Sequence, residues 1–236
     1  MRNSWIRRIA LPLLVALLGT LTTNPTHASS FEMGEIESDT QVWSMVILQG
    51  DITSHVRGFL EIQPRFAEDA STLDKFIVRP ALVYTLNKEF SLWLGYAGIQ
   101  SFLPEESVEH RTWQQIQHEK DFGGVILINR TRFEQRFLPG EEDTSHRLRH
   151  MVRAVLPVND DRTWAVVFAD EVFVNLNSAG SLASGFDQNR AFVGLNHVLN
   201  SHLRLEFGYM NQFTDKLEPS ADRISHNFLI QLIVNF

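Results

Sequence analysis

The sequence predicts an all-β protein, an antiparallel up-and-down transmembrane β-barrel of about 12 strands. Three observations favour this fold. Apolar and polar residues alternate over long stretches, short polar connections alternate with longer ones, and an apolar leader precedes the alternating region. Alternation with a period of two indicates strands that have one apolar face. Outer-membrane barrels join such strands by tight turns at one end and by longer loops at the other.

Residues 1–28 are expected to be a cleaved signal peptide. Three arginines precede the apolar run Ile9–Leu21, which is too short to cross a bilayer as a helix, and Ala28 offers a small residue for cleavage. An N-terminal membrane anchor is the alternative. Residues 29–39 are interpreted as a short N-terminal segment, and residues 40–236 as the β-barrel domain.

Eleven strands can be assigned from the alternation, and a twelfth is needed to make the number of strands even. A closed barrel in which all neighbours are antiparallel has an even number of strands. Residues 29–39 are therefore favoured as a poor twelfth strand. The eleven assigned strands span residues 41–49, 54–66, 75–86, 89–101, 107–119, 123–137, 145–157, 162–176, 187–199, 201–213 and 223–236.

The last strand has the features of an outer-membrane insertion signal. It alternates up to Phe236, and a terminal aromatic residue on such a strand is what the outer-membrane insertion machinery recognises in barrels generally. The expected location is therefore the cell outer membrane, with the insertion machinery and outer-membrane lipid as partners. A strand of a soluble β-sandwich explains the alternation, but it does not explain the leader and the loop asymmetry.

Composition excludes several function classes. The chain has no cysteine, so disulfides and thiolate metal sites are ruled out, and its net charge of −7 argues against nucleic-acid binding. His146 and His150 share a strand face, but four residues of strand separate them by about 13 Å, too far to share a metal ion. No metal and no cofactor are expected.

Along each strand, the charged residues lie mainly at every second position, and so on one face. An arginine or lysine at the lipid midplane costs about 2–4 kcal/mol, so this face is expected to point into the lumen. Arginine exceeds glutamate in these rows, which indicates a lumen that attracts anions. The candidate lumen-lining and anion-binding residues are Arg57, Arg65, Arg130, Arg132, Glu134, Arg136, Arg147, Arg149, Arg153, Glu171, Arg190, Arg204 and Glu206.

Two stretches fit the alternation poorly. The strand at 107–119 is polar on both faces, with His110 and Gln114 among the residues on its lipid side. Asp170 and Glu171 are adjacent, so one of them is expected to break the alternation or to sit at a bulge near the rim.

Six short runs follow one another along the chain: Arg130–Arg136, Arg147–Arg149, Asp170–Asn175, Phe186–Arg190, Glu206–Gln212 and His226-Asn227. In this order they resemble a family of Gram-negative outer-membrane β-barrels that is known only as a domain of unknown function. The resemblance covers about residues 40–236. It implies a barrel in the outer membrane and brings no established activity, so it assigns no catalytic residue.

Three functions remain open from the sequence. The first is a channel for small anions or acidic oligosaccharides, because rows of arginine lower the barrier for anions in pores. The second is a plugged structural barrel without transport, in which inward arginine and glutamate fill the lumen. The third and least favoured is an outer-membrane lipid hydrolase built on Ser225 and His226, whose side chains point to opposite faces of a strand.

Overall fold

The computed structural model describes residues 36–215 and 222–236, and the expected signal peptide lies outside them. The described chain forms eleven strands that close into one barrel. The strands are β1 (Ile36–Asp51), β2 (Val56–Ala67), β3 (Thr72–Thr85), β4 (Phe90–Ser101), β5 (Ser107–Phe122), β6 (Val125–Phe137), β7 (Ser145–Pro157), β8 (Trp164–Asn175), β9 (Gly185–Val198), β10 (Leu203–Thr214) and β11 (Asp222–Asn235).

The barrel closes through a parallel pair. All sequential neighbours are antiparallel, whereas β1 and β11 run in the same direction, in register from Ile36 opposite Asp222 to Gln49 opposite Asn235. The Phe236 N–H extends this seam by donating to the Gln49 carbonyl at 3.0 Å. One parallel pair allows an odd number of strands, because it is the only place where two neighbours need not reverse direction.

The all-β closed barrel is therefore confirmed, and the expected twelfth strand is wrong. Residues 36–39 of the proposed twelfth strand are instead the first residues of β1. Residues 29–35 lie outside the described part of the chain. The expectation failed because it assumed that every neighbouring pair in the barrel is antiparallel.

The connections define two ends of the barrel. At the end that we call the short-turn end, residues 52–55, 86–89, 123–124, 158–163 and 199–202 join the strands. At the opposite long-loop end, the connection 176–184 is the longest that is described in full, whereas 68–71 is as short as a typical turn because β2 and β3 extend further than expected. Gly123 and Gly124 have φ values of 71° and 119°, which suit glycine and allow the two-residue turn between β5 and β6.

The outer face of the barrel is mainly apolar. Large side chains such as Leu82, Leu94, Phe168 and Phe228 point outward and are about half exposed. The alternate side chains of each strand point inward and include the buried charged groups. Within residues 36–215 and 222–236, no helix is long and apolar enough to cross a membrane.

The two stretches that fitted poorly place polar side chains on the outer face. Those of β5 pair with outward-facing neighbours: Thr112 donates to the Gln135 side chain at 2.8 Å, and Gln135 donates to Gln114 at 3.0 Å. Glu171 points inward, while Asp170 is exposed on the outer face and accepts from Asn189 at 3.1 Å. Asp170 is thus the expected break in the alternation, and cross-strand hydrogen bonds satisfy the outward polar groups.

Candidate functional site

A cavity of about 640 Å³ occupies the interior of the barrel toward the short-turn end. It extends from the turn residues Asn87 and Lys88 inward to Trp43 and Arg65. Each of the eleven described strands contributes inward side chains to its wall, so the cavity is the part of the lumen next to the short-turn end. This volume is typical of sites that enclose a small organic ligand.

The cavity wall is strongly cationic. Among the described residues, nine arginines and Lys88 line the cavity, compared with five glutamates. Of the residues proposed from the sequence, ten line this cavity: Arg57, Arg65, Arg130, Arg132, Arg149, Arg153, Glu171, Arg190, Arg204 and Glu206. The other three, Glu134, Arg136 and Arg147, lie deeper, toward the long-loop end.

Between the cavity and the long-loop end, the lumen is filled by buried side chains. We call this part the filled section and define it by Trp113, Glu134, Arg147, Phe173 and Asn227. The exposed fraction of each of these side chains is between 0 and 4%. The filled section therefore separates the cavity from the long-loop end.

Glu134 is the centre of the ion pairs in the filled section. Its Oε2 accepts from Arg147 Nη2 at 2.6 Å, and its Oε1 accepts from Arg149 Nη1 at 2.7 Å. Arg147 also donates to Asp187 at 2.8 Å. Arg149 reaches Glu171 at 3.0 Å and so links the filled section to the cavity wall. Such charge-assisted hydrogen bonds between buried side chains hold these side chains in one arrangement.

Aromatic rings support the same arginines. The Arg132 guanidinium lies 3.9 Å from the centre of the Trp113 ring, and that of Arg149 lies 4.3 Å from the Phe173 ring. Trp113 is accommodated by Gly95 on the neighbouring strand, because a Cβ at this position would lie within 2.8 Å of several Trp113 ring atoms. The filled section is thus packed by rings as well as by ion pairs.

Four cavity arginines are neutralised directly. Arg79 donates to Glu61 at 2.6 Å, Arg130 to Glu171 at 2.9 Å, and Arg153 to Glu206 at 2.9 Å. Arg149, as described, donates to both Glu134 and Glu171. Two of these pairs, Arg130 with Glu171 and Arg153 with Glu206, connect strands that are not neighbours in the barrel.

The other five cavity arginines have no carboxylate within hydrogen-bond distance in the described chain. Arg132 is 3.9 Å from Glu134 and Arg57 is 4.0 Å from Asp51, both beyond that distance. Three of the five instead donate to neutral amide oxygens: Arg65 to Gln63, Arg132 to Gln115, and Arg190 to Gln212. An amide accepts a hydrogen bond without cancelling the charge, so the cavity keeps an excess of positive charge.

Within the described part of the chain, several Nε–H donors on the wall also have no hydrogen-bond partner. They belong to Arg57, Arg65, Arg130 and Arg204, and all four atoms are buried. Buried donors in folded proteins are nearly always satisfied by protein, water or a bound group. The wall therefore offers donors as well as charge to an oxyanion.

Sequence reasoning missed four residues of the lumen. Arg79, which lies two residues after the buried Ile77 on β3, could have been found from the alternation. Trp43 and Glu109 occupy inward-facing positions of their strands, but neither belongs to one of the rows of charged residues from which the candidates were chosen. Asp187 was not predictable, because a register shift at Phe173/Val174 lets both Asp187 and Gln188 point inward.

The residues proposed for a hydrolase site do not lie together in the structure. Ser225 and Asn227 are buried inside the barrel, with 2% and 0% of each side chain exposed. His226 lies on the outer face, where its Nδ1 forms a hydrogen bond with the Tyr209 hydroxyl at 2.6 Å. These residues do not form a nucleophile and base.

Comparison with known proteins gives consistent results. Residues 40–223 match a family described as "Protein of unknown function (DUF2490)". An uncharacterised protein of Methylorubrum extorquens is 35% identical over 227 residues, which cover 93% of this chain and 97% of that protein. The resemblance to an uncharacterised family is thereby confirmed, and the chain belongs to the DUF2490 family.

Proposed function

We propose that the protein is an outer-membrane β-barrel that binds anions in its lumen from the short-turn end. The observation that carries this proposal is the excess of arginine over carboxylate around the cavity. It includes five arginines for which no described carboxylate lies at hydrogen-bond distance. In a low-dielectric cavity, such charge attracts anions strongly.

The location rests on the outer face and on the last strand. Half-exposed Leu94, Phe168 and Ile230 belong to an outward surface of a kind that soluble proteins rarely present. By analogy with barrels whose tight turns face the periplasm, the cavity opens to that side. The strand β11, with Phe236 after it, is the proposed contact for the insertion machinery.

Quenching of tryptophan fluorescence tests whether the lumen attracts anions. Trp43 and Trp93 line the cavity, so iodide should quench their emission more strongly than caesium, with Stern–Volmer constants that differ by at least about threefold. The measurement uses refolded protein in a neutral detergent, and a Trp93→Phe variant isolates the Trp93 signal.

The paired substitution Arg57→Gln and Arg204→Gln should lower the ratio of the iodide constant to the caesium constant. Arg162→Gln is the matched control, because its side chain is 55% exposed in a turn and does not line the cavity. Equal quenching by the two ions in the unmodified protein would contradict the proposal.

The second candidate, a barrel without transport, is favoured over an open channel by the filled section. In planar bilayers we expect no steady current through the refolded protein at low voltage, because buried Trp113 and Phe173 occupy the path. A steady, anion-selective current would instead establish the channel for small anions or acidic oligosaccharides and would overturn the closed state proposed here.

A further inference from the structure

Apolar side chains lie in the cavity wall between its inner end and its mouth. At the inner end, which we call the floor, lie Trp43, Arg65, Arg132 and Arg190. Nearer the mouth, apolar side chains point inward among charged ones, and Arg130 and Arg153 are the cross-strand neighbours of two of them. We call these apolar residues the collar, and they are Met45, Ile47, Phe59, Ile128, Met151 and Phe192.

Strand geometry separates the floor from the mouth. On β1, the inward residues run from Trp43 at the floor through Met45 and Ile47 to Gln49 at the mouth. Each step of two residues advances about 6.6 Å along the strand. The collar thus lies between the floor arginines and the opening of the cavity.

Two guanidinium groups lie close to the Trp43 ring. The Arg65 guanidinium carbon lies 3.5 Å from the ring centre, and that of Arg190 lies 5.1 Å from it. Because both distances are measured to one point, the two carbons are no more than about 9 Å apart. Stacking covers one face of a guanidinium and leaves its N–H edge available for an oxyanion.

The donors of these two arginines are only partly used. Arg65 donates one Nη to Gln63, and its buried Nε has no partner in the described protein. Arg190 donates its Nε to Gln212 and has no carboxylate at hydrogen-bond distance in the described residues. Both groups therefore keep N–H donors and positive charge for an oxyanion at the floor.

We propose that the cavity binds an amphipathic carboxylate, with its head on Arg65 and Arg190 and its acyl chain in the collar. This proposal rests on the proposed function, that the lumen binds anions, and it narrows the class of ligand. An acidic oligosaccharide fits less well, because hydroxyl groups placed against the collar lose hydrogen bonds to water without replacement.

Calorimetric titration of the protein in lipid nanodiscs tests the proposal, with empty nanodiscs as the reference. The probes are sodium octanoate, sodium acetate and 1-octanol, which supply the head and chain, the head alone, and the chain alone. Octanoate should bind at least about tenfold more tightly than either of the others, since a desolvated charge-assisted hydrogen bond contributes about one order of magnitude or more.

Variants separate the head from the chain. Arg65→Gln with Arg190→Gln should weaken octanoate binding at least about tenfold and leave octanol binding unchanged. Phe59→Ser should weaken octanoate and leave acetate unchanged, which keeps the test decisive if the double variant fails to fold. Arg162→Gln, outside the cavity, is the control and should bind octanoate as the unmodified protein does.

The outcomes distinguish this inference from the function on which it rests. If octanoate and acetate bind equally and the double variant weakens both, the lumen binds anions but the amphipathic ligand is wrong. If octanoate and octanol bind equally and the arginine substitutions change nothing, both the inference and anion binding in this cavity are overturned.

Discussion

Replacing Glu134 by alanine is expected to lower the free energy of unfolding by about 3–5 kcal/mol, the range for removing one partner of a buried ion pair. Glu134 accepts hydrogen bonds from Arg147 at 2.6 Å and from Arg149 at 2.7 Å, and only 2% of it is exposed. Its removal leaves Arg147 with Asp187 alone and Arg149 with Glu171 alone. The surrounding rings leave little room for water to replace the lost carboxylate.

Urea unfolding of the refolded barrel in lipid vesicles measures this change. Glu142→Ala is the matched control, because Glu142 is exposed in the connection between β6 and β7, and its substitution should change the stability by less than about 0.5 kcal/mol. Glu134→Gln should fall between the two, since it keeps an acceptor but loses the charge. A loss below about 1 kcal/mol for Glu134→Ala would show that water reaches the filled section.

Replacing Gly208 by alanine should destabilise the barrel by about 3 kcal/mol, at the upper end of the range for overpacking. Gly208 on β10 faces Gly194 on β9, and the Phe192 ring lies over both glycines. A Cβ at Gly208 would lie 2.5 Å from the Gly194 Cα and closer still to the Val193 carbonyl oxygen. These atoms are backbone, so the clash is relieved only by separating the two strands.

Gly98→Ala is the matched control for this substitution. A Cβ at Gly98 would meet nothing nearer than the Tyr96 hydroxyl at 3.7 Å, an ordinary van der Waals distance. Its effect on the free energy of unfolding, measured with urea, should be within about 0.5 kcal/mol of zero. Equal stability of the Gly208 and Gly98 variants would mean that β9 and β10 can move apart at no cost.

The location of the strands could be read from the sequence, because alternation is a local property. The expected strand 145–157 agrees with β7, and the expected 123–137 differs from β6 by two residues at its start. The poorest agreement is at β1, where the acidic residues 36–39 hide the alternation. There the partner strand β11 supplies the hydrogen bonds that the local pattern does not predict.

The hydrogen-bond partner of each arginine could not be predicted from the sequence. Arg132 and Arg153 lie in equally regular rows, yet Arg153 pairs with Glu206 and Arg132 donates to the neutral Gln115. Arg153 and Glu206 are 53 residues apart, on strands that are not neighbours. Such a pair depends on the curvature and diameter of the closed barrel, which no local pattern contains.

The sequence by itself predicted eleven strands and the face on which each charged row lies, because the alternation of apolar and polar residues is a property of each strand separately. It also favoured a twelfth strand, which the described barrel lacks. The tertiary structure decided the parallel closure of β1 on β11, the ion pairs that close the filled section, and the arginines that remain without an acid. These features depend on the register and distance between strands far apart in the chain. They exist only once the barrel has closed.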